Sequence, residues 1–412
     1  MNEFYSTKTK GIGGRIKERI KDFKVIEVSE EGKDCDLWLD EECLERQDKL
    51  IIPENEKECK YLYLEMQKFN LDVNEAIRRL ARYNRISKKR ITYAGVKDKR
   101  AITSQKICFF KPETERVAEF KSKFVKLSNP KWKKERLRIG MLKGNKFEIT
   151  VRQIELDKKE TEKRIKECFK EIDKGIANYF GEQRFGGIRK VSHLVGKEFV
   201  KGNPEKGVMI YLTATNELEE EEIRNARTEL EKTRDFGKAL KDMPIKFRYE
   251  RAMLNHLVKN PDDFIGAFRT LPKSLRYLFV HAYQSFLFNK IIQERITQGI
   301  GLKETKGDVL INGVPSGLLA GFESKFAEGK IGIIEKEILE EEKIELKQFY
   351  VKEMREMSSK GTRKEIVLFP KDLKLEEISE DEFNEGKLKA RISFYLSKGN
   401  YATTVLKELM KC

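Results

Sequence analysis

Between Ala76 and Lys106 the chain places eleven Lys or Arg residues around one acid, Asp98. The acid lies in the stretch Tyr93-Ala94-Gly95-Val96-Lys97-Asp98-Lys99-Arg100-Ala101-Ile102-Thr103-Ser104-Gln105. A surface this basic attracts phosphates, and a carboxylate inside it works against that attraction. The surrounding cations favour its ionised form. The chemistry such a group offers is that of a nucleophile or a proton acceptor facing a polyanion. On charge pattern alone a structural reading is the more ordinary one, because Lys-Asp-Lys is common turn chemistry between two strands.

Two more segments combine residue types that recognise nucleic acid. In Asn178-Tyr179-Phe180-Gly181-Glu182-Gln183-Arg184-Phe185-Gly186-Gly187, aromatics alternate with amides, an arginine and glycines. Aromatic faces, guanidinium planes and backbone-exposing glycines suit unstacked bases and phosphates. A tight, aromatic-packed domain junction would use the same residues. Leu142-Lys143-Gly144-Asn145-Lys146-Phe147 sets an amide beside an aromatic ring in a basic strand.

Other chemistries lack their residues. Gly11-Ile12-Gly13-Gly14 has no following Lys-Ser or Lys-Thr and no strand before it, so it reads as a flexible N-terminal segment and not a phosphate loop. The acidic runs at 217–222 and 335–345 read as solvated faces, since magnesium sites use a few placed carboxylates. The six cysteines, Cys35, Cys43, Cys59, Cys108, Cys168 and Cys412, form no Cys-x-x-Cys pair, and there are three histidines. No metal site is expected, and free thiols in a reducing cytosol are.

Composition agrees with a nucleic-acid partner. The 412-residue chain has 85 Lys plus Arg against 69 Asp plus Glu, a formal charge of +16. Counterion release favours such a chain on polyanions. Basic residues concentrate at 76–106 and 129–152, giving the chain a basic half. Hydrophobic residues make up 39%, enough for a large core and two or three domains. Charged residues in the first twenty positions exclude a secretory signal core, and the longest charge-free apolar stretch, 277–289, is too short for a bilayer. A cytoplasmic, non-membrane protein is expected.

The elements that must position these residues are partly visible. Residues 23–28 and 60–66 read as strands. Asp72-Val73-Asn74-Glu75 reads as a capping box opening a helix that buries Val73, Ile77, Leu80 and Ala81 and turns Arg78, Arg79, Arg82 and Arg85 away. Residues 90–96 and 104–110 read as paired strands, which places Asp98 in their connecting loop. Residues 145–152 form another strand, and 162–179 a helix with Ile165, Cys168, Phe169, Ile172 and Ile176 at helical spacing. Residues 183–270 are mostly helical in period, and 272–298 is a long helix. Strands are expected near 308–321, 332–334 and 390–396, then a short C-terminal helix. The pattern is an α+β domain interrupted by a more helical insertion.

Six blocks in order resemble the TruD family of tRNA pseudouridine synthases. The Asp98 stretch resembles its catalytic signature, and Asp22-Phe23-Lys24-Val25-Ile26-Glu27 its N-terminal Asp-Phe-x-Val-x-Glu. Leu142 to Phe147 resembles Leu-x-Gly-Asn-x-Phe, and Asn178 to Gly186 resembles Asn-Tyr-Phe-Gly-x-Gln-Arg-Phe-Gly. Ala282-Tyr283-Gln284-Ser285-Phe286-Leu287-Phe288-Asn289 and Gly399-Asn400-Tyr401-Ala402-Thr403-Thr404-Val405-Leu406-Lys407-Glu408 resemble two later blocks, the last with Lys407 where Arg is usual. The resemblance implies that Asp98 is the catalytic aspartate and Lys17 its cationic partner. It implies substrate contacts from Phe23, Asn145 and Phe147, which would line a uridine pocket, and from Gly95, Lys97, Gln183 and Arg184. It also implies action on uridine 13 of tRNA without metal or cofactor, by a monomer. The implied architecture is a catalytic domain at 1–177 plus 355–412, with a mixed or antiparallel sheet, interrupted by an α/β TruD-specific domain at 178–354. A catalytically silent RNA-binding protein on the same scaffold would need the basic helix and the aromatics but not the acid.

Overall fold

The computed structural model describes residues 4–37, 49–55 and 58–411; Cys43 and Cys412 therefore lie outside the described residues. The chain divides into two compact units, residues 5–176 with 369 to the C-terminus, and residues 177–368.

The first unit is built on a mostly antiparallel sheet. Its strands are β1 (Phe23–Val28), β2 (Tyr61–Phe69), β3 (Ile91–Tyr93), β4 (Ile102–Phe110), β5 (Val125–Lys133), β6 (Gly144–Ile154), β7 (Lys371–Glu380) and β8 (Leu388–Ser397). Their order is β7-β8-β6-β1-β4-β2-β5, with β3 paired to β4. Only β1 and β4 pair in parallel, Val25 lying opposite Thr103. On its other edge β1 runs antiparallel to β6, with Val25 opposite Phe147 and Glu27 opposite Asn145. The alternation of buried and less buried residues along β1 and β6 puts Phe23, Val25 and Glu27 on one sheet face with Asn145, Phe147 and Ile149.

Helix α1 (Val73–Tyr83) follows β2 and packs Val73, Ala76, Ile77, Leu80 and Ala81 into a core with Leu62, Leu64, Ile107 and Phe109. Asp72 caps it by accepting from the amides of Asn74 and Glu75. Glu75 does not complete the expected box; its carboxylate takes Arg78 and Arg79, at 3.0 and 3.1 Å, instead. Arg82 and Arg85 remain exposed on the outer side. Helix α2 (Lys158–Ile172) stops seven residues before the expected 179, because Gly175 turns the chain with φ +96°. The C-terminal helix α3 (Ala402–Met410) receives the N-terminal segment: Glu408 accepts from the amides of Ser6 and Thr7, at 2.8 and 2.9 Å. The amides of Ile12 and Gly13 then reach the carbonyls of Leu409 and Met410, both at 3.0 Å. The expected flexible glycine segment is thus pinned by backbone hydrogen bonds.

The second unit is helix-rich, with the long helix Lys273–Thr297 through its core and a three-stranded antiparallel sheet of Val309–Ile311, Val314–Leu319 and Thr362–Glu365. The strand expected at 332–334 is instead part of helix Gly329–Glu341, where apolar Ile331, Ile334 and Ile338 recur at helical spacing. The acidic runs are not wholly solvated faces either. Glu335 is buried and pairs with Arg363, and Glu219 shares the buried Arg227 guanidinium with Glu250. A buried charge requires a partner, so each acid marks an arginine brought in from elsewhere in the unit.

Among the described residues no helix is long and apolar enough to cross a membrane.

Candidate active site

Asp98 occupies the loop between β3 and β4, next to the one parallel strand pair of the sheet. The loop is tied down at almost every residue. The Gly140 amide donates to the Ala94 carbonyl at 2.8 Å, and the Gln105 side-chain amide to the Gly95 carbonyl at 3.0 Å. Lys97 turns inward and pairs with Glu27 of β1 at 2.7 Å, both side chains buried. The Lys68 ammonium donates to the Asp98 carbonyl at 2.5 Å. Arg100 reaches the Glu18 carbonyl at 3.0 Å, and the Asn70 amide the Ala101 carbonyl at 3.1 Å. With its backbone held, Asp98 leaves its carboxylate 37% exposed, one oxygen 2.7 Å from Lys17 Nζ.

Lys17 arrives from the N-terminal segment. Arg15 bridges Arg152 of β6 through reciprocal backbone hydrogen bonds of 2.8 Å, which fixes the entry of that segment. Lys17 itself has φ +60°, a left-handed conformation that costs a non-glycine residue roughly 1 kcal/mol or more. That turn brings its ammonium 4.1 Å above the centroid of the Phe23 ring while it touches Asp98. One cation thus meets a carboxylate and an aromatic face together, and its side chain is 17% exposed.

A buried arginine supports this corner from below. Arg152 donates to Asp22 at 2.9 Å, to Asp381 at 2.8 Å and to Glu382 at 3.1 Å. Asp22 in turn accepts the Arg19 amide at 2.7 Å, so the network holds the turn between Lys17 and Phe23. Burial by itself would lower the Arg152 pKa, yet its three acids raise it above the ordinary value. Its hydrogen bond and that of Lys389 hold Glu382 down to about 2.

Phe147 lies between two rings, edge-on to Phe23 at 6.3 Å and stacked on Phe394 at 5.4 Å. Phe23 and Phe147 are only 1% and 5% exposed, and the Phe23 face carries the Lys17 ammonium. Neither ring therefore has a broad open surface here. Asn145, two positions along β6, keeps a buried Oδ1 with no hydrogen-bond partner among the described residues. An orphan amide acceptor on the face shared with Phe23 is suited to a ligand N–H.

Asp98, Lys17 and Phe23 come together, with Phe147 behind Phe23 and Asn145 on the same sheet face. Lys97, expected at substrate, is in the interior against Glu27. Gly95 contributes its carbonyl to the loop's anchoring. Gln183 and Arg184 belong to the other unit: Gln183 is exposed, and Arg184 Nε donates to Ser285 at 3.0 Å with its guanidinium 5.6 Å from the Phe180 ring centroid. In that unit Asn289 exchanges two hydrogen bonds of 2.9 Å with the Phe180 backbone, locking together the two blocks around 178–186 and 282–289. Sequence reasoning missed Lys68, Glu27 and Arg152 as supports. The available signal was a charge at an inward position of an otherwise apolar strand, as in Tyr61-Leu62-Tyr63-Leu64-Glu65-Met66-Gln67-Lys68.

A family model described as tRNA pseudouridine synthase D (TruD) matches residues 2–315 and 311–409. The chain belongs to the TruD family. Proteins named probable tRNA pseudouridine synthase D are similar along nearly their whole length. That of Methanococcoides burtonii is 38% identical over 99% of this chain and 95% of its own, and that of Methanosarcina acetivorans 39% identical over the same shares. The crystal structure of a TruD protein from Methanosarcina mazei superposes with a TM-score of 0.79 at 38% identity, covering 100% of this chain and 96% of that one. TruD proteins are isomerases, and the mixed α+β architecture with its mostly antiparallel sheet is shared with that structure.

Proposed function

We propose that this chain isomerises uridine to pseudouridine in tRNA, at uridine 13, with Asp98 as the catalytic carboxylate. The observation that carries the reading is the Asp98–Lys17 contact of 2.7 Å at the end of a loop whose backbone is otherwise immobilised. The reaction breaks the C1′–N1 bond, turns the uracil and forms a C1′–C5 bond; the proton leaving C5 balances the one taken up at N1. No electron is gained or lost, so neither a redox cofactor nor an activated nucleotide is required. A fixed carboxylate supplies nucleophile or base chemistry for such a sequence. Lys17 orients it through their 2.7 Å contact, and the buried Phe23 and Phe147 rings pack behind that pair as its apolar support, with the Lys17 ammonium over the Phe23 face. Asn145 Oδ1 is suited to accept the uracil N3–H. Gln183 and Arg184 are assigned to RNA contact from the other unit, and Lys97 to positioning of the catalytic loop.

The test is to treat an unmodified tRNA transcript with the purified protein, in excess EDTA and without nucleotide, and map pseudouridine by carbodiimide modification and primer extension. A single new stop, one nucleotide 3′ of position 13, is expected. A stop elsewhere refutes the position, strict metal dependence refutes the cofactor-free chemistry, and no stop with intact tRNA binding supports a silent RNA-binding protein.

Helix α1 supplies a second expected result. Arg78 and Arg79 share the single Glu75 carboxylate, whereas Arg82 and Arg85 are exposed and pair with no acid among the described residues. Replacing Arg82 and Arg85 by Gln weakens binding of all tRNAs about equally, and each lost phosphate contact lowers the slope of log affinity against log salt by roughly 0.7–0.9. An unchanged slope would mean that this face of α1 points away from RNA.

A further inference from the structure

Lys68, the next-to-last residue of β2, is almost completely buried, its backbone paired with Thr103 of β4 and Val125 of β5. Its ammonium makes one hydrogen bond among the described residues, to the carbonyl oxygen of Asp98 at 2.5 Å. The charged groups facing it are the carboxylates of Asp98 and Asp72 and the ammonium of Lys97. Burial lowers its pKa to about 8, an effect that Asp98 and Asp72 partly offset. An ammonium withdrawn from water destabilises the fold unless something specific requires it, and methionine would fill a similar space without charge. Tethering the loop does not require it, since Lys97, Gln105 and Arg100 already hold that segment through Glu27, Gly95 and Glu18. What Lys68 alone contributes is a positive donor at the peptide of Asp98. Lys17 grips the carboxylate of the residue and Lys68 grips its main chain.

We propose that Lys68 is a positioning residue for the isomerisation: its ammonium fixes the Asp98 backbone so that the carboxylate meets the target nucleotide in one geometry, and it contributes nothing to tRNA affinity. The proposal rests on Asp98 being the catalytic carboxylate.

The test compares wild type, Lys68→Met, Lys68→Gln and Asp98→Asn, measuring kcat, KM and tRNA affinity on one transcript from about pH 6.5 to 9.5. In the wild type Lys68 is protonated below its lowered pKa and neutral above it, so kcat falls as pH rises through about 8. Lys68→Met is expected to melt as a folded protein and to lose about ten- to a hundredfold in kcat at pH 7, the size of effect that small misplacement of a reacting group produces. Its KM and affinity stay within about threefold of wild type, and its profile is flat through pH 8. Lys68→Gln keeps a donor without the charge, so it is intermediate in rate and equally flat. A Lys68→Met enzyme within about twofold of wild type in kcat, or one that keeps the alkaline limb, overturns the proposal. Should the Met variant not fold, a Gln variant with the wild-type limb overturns it as well. Asp98→Asn separates the two readings: its retained activity would sink the catalytic assignment, whereas an inactive Asp98→Asn beside an unperturbed Lys68→Met would sink only the role of Lys68.

Discussion

Asp98→Asn is expected to fold, bind tRNA within a few-fold of wild type and isomerise uridine at least about a thousandfold more slowly, near the upper range for loss of a single acid–base or nucleophilic group. The substitution keeps the size of the side chain and its place in the loop. The tethers on Ala94, Gly95, Lys97, Arg100 and the Asp98 carbonyl do not involve the Asp98 carboxylate, so the loop keeps its shape. What disappears is the anion and with it the ion pair with Lys17, which spans 2.7 Å in the wild type. Removing a negative charge from a basic surface also strengthens attraction to phosphate, so affinity changes little or rises. Single-turnover assays with enzyme in excess separate chemistry from binding. Substantial turnover by the Asn variant would refute Asp98 as the reacting group, and a large fall in affinity would place the carboxylate in binding.

Lys97→Met is expected to act on stability. Lys97 and Glu27 are a buried pair at 2.7 Å, and Glu27 also accepts the Lys106 amide at 3.1 Å. Deleting the lysine leaves a buried carboxylate without its counter-ion, which destabilises by roughly 3–5 kcal/mol. The double variant Glu27→Gln, Lys97→Met removes both charges and recovers most of that loss, because an uncharged buried pair does not carry the desolvation penalty. Thermal melting of the three variants reads the coupling. The salt dependence of tRNA binding stays at the wild-type slope, since an interior ammonium releases no counterion from RNA. Unchanged stability with a shallower salt slope would return Lys97 to the RNA surface.

Asp98 and Lys97 differ in what residue type alone conveys about where a side chain points. Both lie in one short basic stretch, and a signature of residue types assigns both to the site. Whether a lysine faces RNA or the interior depends on a partner seventy positions away, Glu27, which β1 brings beside β4. Lys17 differs: the family resemblance names it as the partner of Asp98, and the two are in contact at 2.7 Å, but no local pattern shows how it gets there. Its left-handed turn and its contact with Asp98 depend on Arg152, Asp22 and the 381–382 turn, which no local pattern joins. Glycines 11–14 read as flexible because their anchors, the carbonyls of Leu409 and Met410, lie at the opposite end of the chain.

Local physics settled most of the elements and the basic surroundings of Asp98 in advance. The stripe of α1, the alternation along β6, the loop carrying Asp98 and the excess of cations around it all follow from side-chain type and spacing, since helix and strand periods are properties of the backbone. The end of α2 at Ile172, the helix across 332–334 and the buried Glu335 did not, because each depends on a turn or a partner outside the local window. The tertiary structure alone decided which charges are buried, which rings are covered and how the Lys17 ammonium, named as the partner of Asp98 by the family resemblance, reaches it. The physical reason is that the energy of a charge depends on its distance to other charges and to water, and those distances come into being only when strands far apart in sequence pair.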